Sequence, residues 1–153
     1  MSKSPSQQMS AALKAVLVPV LNESGFDGRF PRYRRDRAEV LHFISIQYDK
    51  AGTSFFLEAA WQPPGDKMTS WGELVPQRDL LLEHAPLENR ARLQQVGGLS
   101  SQPSDWFSYA GRGDDAAGYR AVAATVAGLL PQVEAWLARG EVGPNLSPYG
   151  AMP

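Results

Sequence analysis

Between Arg29 and Trp61 the chain alternates with a period of two, a pattern that argues for β-strands and against a helix. A loop over Asp49 to Gly52 sets Tyr48 opposite Thr53. It brings Ile46 to Phe55, Ile44 to Leu57, His42 to Ala59 and Val40 to Trp61 on one side. The other side then pairs Gln47 with Ser54, Ser45 with Phe56, Phe43 with Glu58 and Leu41 with Ala60. The first set is apolar on both strands, and a slip of one residue would scramble it. A tight turn at Asp36-Arg37 starts an earlier hairpin, with Arg34 opposite Glu39, Tyr33 opposite Val40 and Phe30 opposite Phe43. Pro31 has no N–H for a ladder, so this strand is expected at a sheet edge.

Helices are expected on either side of the hairpins. From about Ser6 to Glu23, the residues Met9, Leu13, Val16, Leu17, Val20 and Leu21 recur at three- and four-residue steps, with Pro19 as a bend. Gly25 suits the left-handed position after a helix end, and Phe26 can fold back onto the last turn. From Asp115 to Arg139, Tyr119, Val122, Val126, Leu129, Leu130, Val133, Trp136 and Leu137 share a face. Pro131 predicts a kink there, Asp114 or Asp115 a cap, and Gly140 a stop. Residues 76–95 read as a helical stretch divided by Pro86, and residues 105–109 as a short strand. The layout predicts one α+β domain over residues 1–140. Its antiparallel sheet of about three to four strands packs against the N- and C-terminal helices, and residues 141–153 form a Pro/Gly-rich tail with little capacity to order itself.

Composition removes several function classes. At 153 residues with 43% apolar content the chain can bury a core, and a formal charge of −1 gives no global pull toward nucleic acid or anionic lipid. It has no cysteine, and its polar first ten residues lack the apolar run of a signal peptide. No stretch reads as a bilayer-spanning segment, so the expected location is cytoplasmic. Eleven of the fifteen basic residues are Arg, a usage that suggests a GC-rich bacterial genome. His42 and His84 stand outside any metal-ligand spacing, so neither a metal nor another cofactor is expected.

The order of these residues resembles the family called domain of unknown function family 4304. The resemblance rests on an amphipathic helix ending in Gly25-Phe26, the strand Tyr33-Arg34-Arg35, an apolar strand leading to Gln47 and another closing on Trp61. Arg92-Leu93, Trp106 and a terminal amphipathic helix follow. It spans about Leu13 to Leu137. Where that family often has an amide, aromatic, Gln, Lys, Ser run, this chain has Ser45-Ile46-Gln47-Tyr48-Asp49, so only Gln47 carries over. The resemblance implies the α+β fold and brings no activity with it.

Candidate functional residues gather on the second sheet face. Arg32, Arg34, Gln47 and Glu58 combine an apolar floor with convergent polar groups, as small-molecule sites do. Arg92 and Trp106 are expected to close over that face, with Arg92 reaching a carboxylate. Trp71 sits in a polar loop and is the tryptophan expected to be exposed as a contact anchor, whereas Trp61, Trp106 and Trp136 read as core. His42 points to the core and Ser45 to the other face, so no triad with Glu58 is expected and no catalytic residue is assigned. The leading expectation is a non-catalytic domain, monomeric or a weak homodimer. It binds a protein partner or a small ligand on this face, as an immunity-type accessory protein would, without membrane or nucleic acid. The first alternative is an enzyme with Arg32 or Arg34 holding an anionic substrate and Glu58 as acid or base. A weaker one is RNA binding through Arg29, Arg32, Arg34, Arg35 and Arg37.

Overall fold

The first helix, α1 (Pro5–Glu23), begins at a capping box. The Ser4 hydroxyl accepts from the Gln7 amide while the Gln7 side chain accepts from the Ser4 amide. It ends as the sequence predicts: Gly25 adopts φ +92°, the Gly25 amide donates to the Asn22 carbonyl, and that of buried Phe26 to Leu21. Neither Pro19 nor Pro131 ends its helix, and α2 (Ala116–Arg139) stops at Gly140 with φ +70°. The expected side-chain cap of α2 does not form. Asp115 makes no capping bond, and Asp114 accepts from Gln8 of α1 instead.

The structure is a computed structural model that describes residues 3–150. Within it, α1 and α2 lie side by side on one face of an antiparallel seven-stranded sheet. The main strands are β1 (Asp27–Arg29), β2 (Arg32–Asp36), β3 (Leu41–Tyr48) and β4 (Ser54–Gln62). A separate two-stranded ribbon follows, β5 (Lys67–Met68) with β6 (Leu74–Val75). Then come β7 (Arg90–Leu93), β8 (Phe107–Ser108) and β9 (Leu146–Pro148). The sheet order is β1-β2-β3-β4-β7-β9, with β8 on the free end of β4. The α+β class is as expected, but three to four strands is too few.

Both hairpins keep the expected faces and change register. Tyr48 opposes Phe55 rather than Thr53, and Tyr33 opposes Ile44 rather than Val40. The shifts are even, so no side chain changes face. The second loop is longer because Asp49 organises it: its carboxylate accepts from the Thr53 amide and hydroxyl and from the Ser54 amide. The first turn takes in Arg37 to Val40, which leaves Glu39 out of the sheet. Pro31 lies in the turn between β1 and β2, joined to Phe30 by a cis peptide bond. β1 covers β2, so the Arg-rich strand is not an edge.

Three further expectations are corrected. Residues 76–95 form no α-helix. They contain three short 3₁₀ turns and then β7, because Arg90-Ala91-Arg92-Leu93 alternates with a period of two. Part of the expected tail enters the sheet: β9 pairs with β7 and buries Leu146, while residues 151–153 lie outside the described residues. Finally, α2 is long and apolar enough to cross a membrane, with a mean hydropathy of 1.3. Its Val, Leu and Ala residues give that value, and in this fold its large apolar residues pack on the sheet and α1. The helix-facing core unites Leu13, Leu17, Ile44, Leu57, Leu93, Val126 and Trp136.

Candidate functional site: a cleft over Glu58

Register places one row of polar residues across the second sheet face. Arg32 opposes Ser45, Ser45 opposes Glu58, Glu58 opposes Arg92 and Arg92 opposes Ser147. Gln47 stands on the same face one row away. Two covers lie over this face and leave the middle of the row between them.

The first cover is the segment from β6 to Ala85. Val75, Leu80, Leu82 and Ala85 bury Leu41, Phe43 and Ala60. The main-chain carbonyls of these short 3₁₀ turns, some already bonded within a turn, accept further hydrogen bonds from sheet side chains. Arg34 donates to the carbonyls of Gln77, Arg78 and Leu80, Gln62 to that of Leu81, and Arg90 to those of Glu83 and Ala85. Arg34 also grips Asp36 in two hydrogen bonds of 2.9 and 3.0 Å. All three nitrogens of its fork are engaged in hydrogen bonds to this cover and to Asp36.

The second cover is built on Phe56. Trp106 meets it edge-on, with ring centres 4.8 Å apart, and the Arg92 guanidinium lies 4.0 Å from its centre. Arg92 donates to the Tyr149 hydroxyl and the Ser100 carbonyl, and Trp106 donates to the same carbonyl. Arg92 and Trp106 therefore close over the face as expected. The carboxylate contact expected of Arg92 belongs to Arg90.

Between the covers lies a cleft of about 270 Å³ lined by Arg32, Ser45, Gln47, Glu58, Leu82, Glu83 and Arg90. Glu58 is only 5% exposed. One carboxylate oxygen accepts from Gln47 Nε2 at 2.7 Å, and Gln47 also donates to the Ser45 hydroxyl. The other, Oε1, is buried and has no hydrogen-bond donor among the described residues; the Arg90 guanidinium stands 3.5 Å from it. Burial pushes the Glu58 carboxyl above its ordinary range, against the Gln47 hydrogen bond and the charges of Arg90 and Arg92. At the mouth, Arg32 and Glu83 form an ion pair with both side chains about half exposed. Burial would raise the Glu83 carboxyl, yet the Arg32 hydrogen bond and the nearby Arg charges hold it below its usual value.

Of the residues expected in the site, Arg32, Gln47 and Glu58 meet in the cleft. Arg34 holds the first cover, and Arg92 and Trp106 belong to the second, so none of these three lines the cleft. Trp71 lies apart, 72% exposed in the turn of the β5–β6 ribbon. Trp61 is also exposed, contrary to its assignment to the core. Arg90 and Glu83 were not expected. The alternation of residues 90–93 carries the signal for Arg90, whereas nothing in the local sequence marks Glu83, which is set by the packing of Leu82.

The five clustered arginines do not form one basic surface. Arg32 and Arg34 face the cleft side, while Arg35 is buried on the helix side. There its guanidinium makes two hydrogen bonds to Glu134 of α2, donates to the Ser24 carbonyl and to His42 Nδ1, and stacks on Phe26 at 4.2 Å. Burial is the main force lowering the His42 pKa to about 4, aided by Arg35 and Arg37 and opposed by Glu134. Among the described residues no group of three or more His, Asp or Glu is placed to hold a metal ion. No family model, no curated protein and no solved structure matches this chain.

Proposed function

We propose that this chain is a non-catalytic ligand-binding domain whose site is the cleft between the two covers. The observation that carries the reading is Glu58: a carboxylate at the floor of a cleft, with one oxygen lacking a hydrogen-bond donor and the Arg90 guanidinium 3.5 Å from it. A buried carboxylate oxygen with a charge partner but no hydrogen bond is incompletely satisfied, and a ligand hydroxyl or amide would supply the missing donor. A cleft of this size suits a small polar molecule better than a protein side, which needs a much larger contact area. The resemblance to domain of unknown function family 4304, a bacterial origin and a cytoplasmic location remain parts of this reading.

Native mass spectrometry of the protein after incubation with the small-molecule fraction of a cell extract tests it. A discrete adduct is expected on the wild type and not on Glu58→Gln or Gln47→Ala. Adducts unchanged in both variants, or none on the wild type, would overturn the proposal.

Catalysis at the same cleft is the second reading, favoured by the raised carboxyl of Glu58, which suits an acid–base group. Turnover of the captured molecule, abolished in Glu58→Gln, would replace binding by catalysis. Recruitment of a protein partner, the need of an immunity-type accessory protein, draws support from the exposed Met68, Trp71 and Leu74 on the ribbon.

A further inference from the structure

The Arg32–Glu83 pair has the form of an occupant that a ligand can displace. Both side chains are about half exposed, and a solvent-exposed pair of this kind adds little to stability. Nη1 is the Arg32 nitrogen that holds Glu83, and the rest of the fork makes no hydrogen bond among the described residues. A planar guanidinium can donate two parallel hydrogen bonds to one carboxylate, of which the pair with Glu83 uses one.

The other end of the cleft sets the remaining requirement. Glu58 Oε1 needs a donor, but the Arg90 guanidinium already lies 3.5 Å from it. An ammonium there would be repelled by Arg90, whereas a hydroxyl donates without a charge conflict. Charge balance agrees. With Glu83 released to solvent, the two guanidinium groups that line the cleft, Arg32 and Arg90, face the Glu58 carboxylate. Arg92, which acts on Glu58 from outside the lining, adds to the positive side; that leaves room for a negative charge and not for a zwitterion. Two strand spacings, about 10 Å, separate the Arg32 and Glu58 backbones, so with both side chains reaching inward a ligand of about four to six carbons links them.

We infer that the cleft takes a small monoanionic hydroxycarboxylate, whose carboxylate replaces Glu83 on Arg32 and whose hydroxyl donates to Glu58. This rests on the reading of the cleft as a ligand site and adds its chemical class. Glu83 then acts as a built-in competitor that weakens binding until it is displaced.

Titration of ¹⁵N-labelled protein with sodium D-gluconate tests the inference. Amide shifts are expected at Ser45, Gln47, Glu58 and Glu83, with at least threefold tighter binding in Glu83→Gln and loss in Arg32→Ala. D-glucosaminate, the zwitterion of the same carbon skeleton, is expected to bind at least tenfold more weakly. Equal affinities in wild type and Glu83→Gln, equal affinities for the two acids, or no shift in either protein would overturn it. Sorbitol moving the same amides without response to Glu83→Gln would overturn the carboxylate assignment and leave the cleft a ligand site. So would gluconate silence combined with extract adducts that vanish in Glu58→Gln.

Discussion

Glu58 and His42 lie on neighbouring strands, face opposite sides of the sheet and titrate in opposite senses. Burial raises the Glu58 carboxyl, so the unfolded chain loses its proton first as pH climbs above the ordinary carboxylate range. Stability is therefore drained as pH rises from there toward the folded value, and Glu58→Gln removes the effect. The melting-temperature difference, variant minus wild type, is expected to be more positive at pH 7 than at pH 4. A difference independent of pH would show the carboxyl to be unperturbed. His42 works the other way. Its folded pKa, about 4, lies below the unfolded value of 6.5, so the unfolded chain takes up a proton across that interval and the folded one does not. Between pH 6.5 and pH 4 this removes about 3 kcal/mol of stability. Urea unfolding at pH 7 and pH 4.5 should show much of that loss, and His42→Gln should flatten it.

The long helices were legible because their apolar residues recur over many turns and their ends carry glycine signals. Replacing Gly25 by Ala is expected to cost roughly 1–2 kcal/mol in urea unfolding, since φ is +92° there and a Cβ would lie 3.4 Å from the Arg35 side chain. Short elements were less legible. Residues 87–93 combine leucines that suggest a helix with an Arg-Ala-Arg-Leu alternation that makes a strand, and four residues of pattern could not outweigh the apparent run. β9 carries still less local signal. Leu146 reaches the core only because β7 offers an edge beside it. Leu146→Ala is accordingly expected to cost about 2–4 kcal/mol by urea unfolding, as for a buried leucine and not as for a solvated tail. A loss below about 0.5 kcal/mol would show that β9 detaches in solution.

At the scale of the whole molecule, Arg35 ties β2 to β3, to the end of α1 and to α2 through one buried side chain. Arg35→Ala would leave Glu134 and the Ser24 carbonyl without their donor, at a cost of about 2–4 kcal/mol by chemical denaturation. Arg35→Lys is expected to restore less than half, because an ammonium lacks the planar fork that spans these partners. The faces of the two hairpins could be read from alternation, and with them Arg32, Gln47 and Glu58 of the cleft. The covers could not, because their positions follow from tertiary packing of irregular segments. The polar row from Arg32 through Ser45, Glu58 and Arg92 to Ser147 draws one residue from each of five strands. A slip of one residue in any of those strands would send its member to the helix side. The row is thus a checksum on the alignment of the sheet. The cleft draws on its β2, β3 and β4 members, so any affinity it supports should vanish in fragments that lack one of those strands, which makes ligand binding a direct assay for the alignment of the central sheet.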